Sequence, residues 1–246
     1  MPEGGGSLDP LRVRERFHAG DLAGAIDDAR ALAREANAPD VAQALAAVAE
    51  GAWELGRAAA ERALARDPRD ALARWCRGGA RVGLGDRAGA LADWSWIVED
   101  DPASRTAWKD RALLRALTGD RAGALEDLAR VGRLSADDVV PRLWRVGLGA
   151  PAEELLPFAA GQGWSARLAQ LLLGRASAAE LLAEAHGLDP AEQRARRCQV
   201  HGYAGLLLER DRRDSAAAHY RACEATQVWH FVTHLWARER LRDGVP

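Results

Sequence analysis

Apolar positions recur at helical spacing along most of this chain, and they are interrupted by polar punctuation that returns at a fixed interval. Gly85 begins GDRAGALADW and Gly119 begins GDRAGALEDL, 34 residues later. Pro68 in ARDPRD and Pro102 in EDDPAS stand the same 34 residues apart, and a third copy of the first string, GDLAGAIDDA, begins at Gly20. The punctuation has a physical reason. Gly85 and Gly119 tolerate the left-handed conformation that ends a helix, and Asp86 and Asp120 then cap the next helix through its free N–H groups. Pro68 and Pro102 stop the second helix of each pair, leaving Asp70 and Ser104 as N-caps of the pair that follows. Each period therefore predicts a helical hairpin, over 37–70, 71–104 and 105–138, with a degenerate first hairpin at 8–36. Gly78, Ala90, Ala112 and Ala124 fall where the paired helices cross most closely. Trp94, Trp108, Leu128 and Val131 are expected to fill the space between hairpins.

Over 139–163, Pro141, Pro151 and Pro157 break up short apolar stretches, predicting two short irregular helices that continue the stack. Ordinary hairpins resume with WSARLAQLLLG and SAAELLAEAHGL, then with QRARRCQVHGYAGLLLE and DSAAAHYRACEAT. A last helix at about 228–242 has no partner in sequence and suits an end cap, with Phe231, Leu235 and Trp236 over the final hairpin. A 34-residue helix-turn-helix period resembles the tetratricopeptide repeat. The resemblance implies an all-α fold, a tetratricopeptide-type helical-hairpin solenoid with a right-handed superhelical course and a C-terminal capping helix. The expected layout is a disordered segment at 1–7 and a single solenoid over 8–242 with six to seven hairpins.

The C-terminal part carries a second resemblance. Trp164, the LLLG run ending at Gly174, Cys198, Tyr203, Gly205, Ala217, Phe231, Val232, Ala237 and Leu241 match the C-terminal module of NlpI-like bacterial tetratricopeptide lipoproteins over roughly 140–242. Gln199, Thr233 and His234 depart from it, standing where the pattern has Glu, Glu and Tyr. The resemblance implies an adaptor that brings other proteins together. The anchoring Cys of those lipoproteins has no counterpart near the start of this sequence, which predicts a bacterial cytoplasmic setting.

Composition narrows the function. The formal charge is −2 with acids and bases interleaved, so the concentrated basic surface that nucleic acid needs is missing. Of 34 basic residues only Lys109 is a lysine. No apolar run approaches the ~18–20 residues that cross a bilayer, and three cysteines in a chain this long do not make a disulfide framework. Neither a phosphate-cradling G-x-x-x-x-G-K-[ST] string nor a G-x-S-x-G elbow occurs. Carboxylates are plentiful, at caps and on what read as solvated helix faces. The expectation is a non-enzyme without cofactors.

One cluster tests that expectation. Of six histidines, His201, His219, His230 and His234 fall near the C-terminus, while His18 and His186 lie apart. Cys198 and His201 share a helix face, as do His219 and Cys223, so an antiparallel hairpin could offer two thiolates and two imidazoles to zinc. Repeat geometry would instead turn Cys198 and His201 toward the inner groove, which makes zinc binding the less favoured reading. His230 and His234 are four apart but enclose no Glu general base.

First helices of tetratricopeptide hairpins line a concave face. Applied here, the resemblance places Val41, Leu45 and Val48, then Leu72, Trp75 and Val82, then Lys109, Leu113 and Leu117 on a peptide-binding groove, with Trp75 as its anchor. The face is mostly apolar and favours an amphipathic helix or apolar peptide over a terminal carboxylate. The leading expectation is a protein- or peptide-binding adaptor whose partner is unidentified; the alternative is a self-associating scaffold, including a homodimer. A helix of the same chain filling the groove is the third possibility. If the register is right, Ala124→Leu overpacks a helix crossing and destabilises the fold by ~1–3 kcal/mol; an unchanged thermal melt contradicts the register.

Overall fold

The computed structural model describes residues 10–19, 21–35, 38–209, 212–228 and 232–244, and among these all regular structure is helical. The expected disordered segment at 1–7 lies outside the described residues, as do Gly20, His230 and Phe231. The chain forms two compact units, Met1–Ala107 and Trp108–Pro246.

The first unit is three antiparallel hairpins: α1 (Pro10–Ala19) with α2 (Leu22–Leu32), α3 (Asp40–Ala49) with α4 (Trp53–Arg66), and α5 (Ala71–Leu84) with α6 (Arg87–Asp100). The turns follow the sequence punctuation. Gly85 sits at φ +90°, and the Asp86 carboxylate accepts the Gly89 N–H at 2.8 Å. Asp21 caps Gly24 and Asp70 caps Ala73 in the same way, each at 3.0 Å. A Cβ on Gly89 would stand 2.1 Å from the Asp86 carboxylate, which would have to shift to admit one, as Asp70 admits Ala73. Gly78 marks the closest α5–α6 crossing, where a Cβ would meet the Trp94 indole at 2.5 Å. Ala90 and Trp94 are buried beside it, as expected of a crossing and its filler.

A charge clamp ties first helix to second. Asp93 of α6 is 2% exposed, and its two carboxylate oxygens receive the Arg77 guanidinium at 3.0 and 2.5 Å and Arg81 at 2.7 Å, both from α5. Arg81 also donates to the Gly89 carbonyl at 3.1 Å, joining the clamp to the capped turn. The first hairpin repeats the arrangement: Arg12 donates twice to Asp28, at 2.7 and 2.5 Å, and Arg16 stands 3.3 Å away. Those hydrogen bonds hold the Asp28 carboxyl below its usual range. The second hairpin reverses the polarity, with Asp40 on α3 held by Arg62 and Arg66 of α4. These buried carboxylates correct the expectation that acids would lie only at caps and solvated faces.

The second unit contains α7 (Arg105–Leu117) and α8 (Arg121–Leu134), which carry the same clamp 34 residues on. Asp127, 2% exposed, receives Arg111 twice at 2.8 Å and Arg115 at 2.8 Å. Gly119 is at φ +92° and Asp120 caps Gly123 at 2.9 Å. Ala112, Ala124, Leu128 and Val131 are buried as their register predicts. Trp108 differs: it is half-buried, with the Arg111 guanidinium 4.5 Å over its ring, so it shields the clamp instead of filling core.

The proline-broken stretch becomes α9 (Val140–Gly147), a 3-10 turn (Ala152–Leu155) and the short α10 (Leu156–Ala159). Arg145 of α9 binds Glu154 through two bonds of 2.8 Å and the Leu125 carbonyl at 2.7 Å, fastening the irregular segment to α8. Then follow α11 (Trp164–Leu172), α12 (Ala178–Glu184), α13 (Pro190–Leu208), α14 (Arg213–Glu224) and α15 (Val232–Arg242). Gly205 lets α13 and α14 approach, since a Cβ there would lie 2.4 Å from the Tyr220 ring. α15 packs along both helices of that pair. Trp236 donates to the Tyr220 hydroxyl at 2.9 Å, which donates to Glu209 at 2.6 Å, and Arg240 reaches the same Glu209. Leu235 is only half-buried. Among the described residues no helix is long and apolar enough to cross a membrane.

Candidate binding site

In the first unit, α3 is rich in alanine, and every residue of the helix except Gln43 is buried. A helix apolar all round is a core helix. Val41, Leu45 and Val48 accordingly lie inside, as do Leu72, Trp75 and Val82 of α5. α1 reaches α5 directly. The Phe17 ring stands 5.5 Å from the Trp75 ring at a tilt of 57°, and Arg14 binds Asp70 at 2.5 Å. Gly79 faces Val48, with 3.3 Å between a Cβ there and the valine methyl, so it opens no space above Trp75. A ligand reaches the Trp75 ring only if α1 moves.

The second unit is different. Lys109, Leu113 and Ala116 of α7 line an apolar pocket together with Trp144 of α9 and Leu148 just after it, and Trp236 of α15 also lines it. Trp236 comes to 5.3 Å from the Trp144 ring, so the closing helix reaches α9 as well as the last hairpin. Lys109 is half-buried and has no ion pair or hydrogen bond among the described residues. On the same helix Arg111 and Arg115 are both engaged with Asp127. Leu117 is buried but does not line the pocket. The pocket's empty space, about 240 Å³, includes open solvent at its mouth, so its enclosed part is far smaller than the 300–1,000 Å³ usual for small-molecule sites.

The cysteine–histidine cluster does assemble, but as two like pairs. Cys198 and Cys223 are buried with their sulfurs 3.5 Å apart, and one turn away the Nδ1 atoms of His201 and His219 are 3.0 Å apart. The groove-facing orientation expected for Cys198 and His201 is thus corrected: both turn toward α14. Among the described residues no three His, Cys, Asp or Glu side chains converge as a metal-holding group. The departures from the NlpI-like pattern sit in the same region. Gln199 accepts the Trp164 indole N–H at 2.7 Å, and Thr233 packs where a Cβ on Gly202 would stand 2.5 Å away.

No protein-family model matches the chain, and no curated protein matches it. Among solved structures, a tetratricopeptide repeat protein from Parabacteroides merdae ATCC 43184 is similar over 93% of this chain and 96% of that one, at 13% identity and a TM-score of 0.44. The assignment to an all-α helical repeat rests on the hairpins and their 34-residue period.

The imidazole pair makes stability depend on pH. Burial, then the charges of His219 and Arg197, push His201 down to about 4, and burial pushes His219 down as well. A depressed imidazole binds fewer protons folded than unfolded, so its contribution is complete above about 6.5 and is lost as pH falls toward about 4. The denaturation midpoint should fall steadily as pH is lowered across that window. Replacing both histidines with Gln should flatten the dependence; an equal loss in the double variant contradicts the assignment.

Proposed function

We propose that this protein is a non-enzymatic scaffold that binds another protein, and that its docking point is the Lys109 pocket of the second unit. The observation that carries the reading is an ammonium beside an apolar cavity, with no ion pair or hydrogen bond among the described residues, while Arg111 and Arg115 of the same helix are held by Asp127. Such a pairing selects a partner segment that inserts one apolar side chain and sets a carboxylate beside it. Ion pairing at a partly desolvated rim then adds register to the apolar contact. Leu113 and the Trp144–Trp236 pair form the walls. Trp75 and the α3 and α5 residues belong to the reading as a second, closed face, accessible on displacement of α1. Within this proposal the helices beyond about 140 form an NlpI-like C-terminal module.

Panning a displayed peptide library on the purified chain tests the site. Expected is enrichment of peptides with a large apolar residue next to Asp or Glu, lost in Lys109→Glu and in Ala116→Phe, which fills the cavity, while the melt of Lys109→Glu stays as in the parent. Enrichment that is the same in both variants overturns the pocket as the docking point.

A further inference from the structure

We infer that Cys198 and Cys223 are a reversible oxidation site, at which a hydroperoxide converts the thiol pair into a disulfide tying α13 to α14. The glycines of α13 create the arrangement. Gly202 and Gly205 allow α15 and α14 to lie close against the helix, and that approach brings the two sulfurs to 3.5 Å, against about 2.05 Å in a disulfide. Cys76, buried on α5, has no sulfur neighbour among the described residues and supplies an internal reference.

The two thiols have unlike surroundings. Cys223 donates toward the Cys198 carbonyl at 3.2 Å and the Thr233 carbonyl at 3.5 Å, which favours the protonated thiol. Cys198 has the Thr233 hydroxyl at 3.5 Å, a group able to donate to a thiolate. The contact with Cys223 and the Thr233 hydroxyl draw Cys198 below the ordinary thiol range, whereas the same sulfur contact and burial hold Cys223 well above it. Cys198 is therefore the attacking sulfur. Its thiolate bonds to one peroxide oxygen as the O–O bond breaks, and the departing oxygen takes up the proton Cys198 lost, leaving as water or an alcohol. Cys223 then bonds to the sulfenic sulfur, and hydroxide leaves with the Cys223 proton as water. Two thiols lose two electrons and one hydroperoxide gains them. Thr233, 3% exposed in the first turn of α15, covers the pair, so the reaction proceeds when that turn lifts.

The test treats the native full chain with hydrogen peroxide, then quenches it. Expected are a mass lower by two hydrogens, a fall in thiols titratable in denaturant from three to one, a mapped Cys198–Cys223 cross-link, and reversal by dithiothreitol. In Cys223→Ser, dimedone should label Cys198. The oxidised protein should melt higher, because the bridge constrains the unfolded chain. Unchanged thiols, oxygen added to single cysteines without a cross-link, or a lower melt after cross-linking each overturn the inference. If Cys223→Ser does not fold, the cross-link map of the parent chain decides alone.

Discussion

Two arginines on the first helix of a hairpin, four residues apart, close on one buried aspartate of the second. That clamp is the constraint on which the hairpins up to α8 depend. A carboxylate as buried as Asp93 or Asp127 is tolerable only when paired and fully hydrogen-bonded. The pairing fixes the rotation of both helices, and through the Gly89 and Gly123 carbonyls it also fixes the capped turn between them. Once rotation is set, Gly78 must face Trp94, and the apolar side of each hairpin must face its neighbour. The second hairpin reaches the same end with reversed charges, Asp40 against Arg62 and Arg66, which shows that the geometry matters more than which helix carries the acid.

The hairpin boundaries were legible in the sequence because glycine, aspartate and proline act locally: a left-handed residue, a cap and a stop need only their neighbours in the chain. The buried polar positions were harder. Arg77, Arg81 and Asp93 recur as Arg111, Arg115 and Asp127 at the same 34-residue shift that revealed the turns. A charge on a helix reads as solvated until its partner 16 residues away is known to face it. The small residue three after each cap was another available signal, since GDRAG repeats its second glycine as faithfully as its first.

The candidate site was legible in part for the same reason. The tetratricopeptide resemblance grouped Lys109 with Leu113 on one face of α7, and both line the pocket. It could not show that Phe17 closes over Trp75, or that Trp236 returns to α9, because both are contacts between elements distant in the chain. The pairing of Cys198 with Cys223 depended on the crossing geometry of α13 and α14, which Gly205 permits and spacing alone does not specify. In both units, then, the chain's own terminal helices lie against faces that a repeat pattern alone would leave open.

A thermodynamic cycle on the α7–α8 clamp tests the central claim most directly. Denaturant melts would compare the parent chain with Asp127→Leu, with the pair Arg111→Met and Arg115→Met, and with all three changes together. Removing one side of a buried ion pair leaves the other uncompensated, at a cost of about 3–5 kcal/mol, whereas an apolar replacement of both sides is close to neutral. The account predicts that either partial variant is strongly destabilised and that the triple variant recovers most of the loss. Partial variants that melt with the parent, or a triple variant whose loss is the sum of the two, would contradict it.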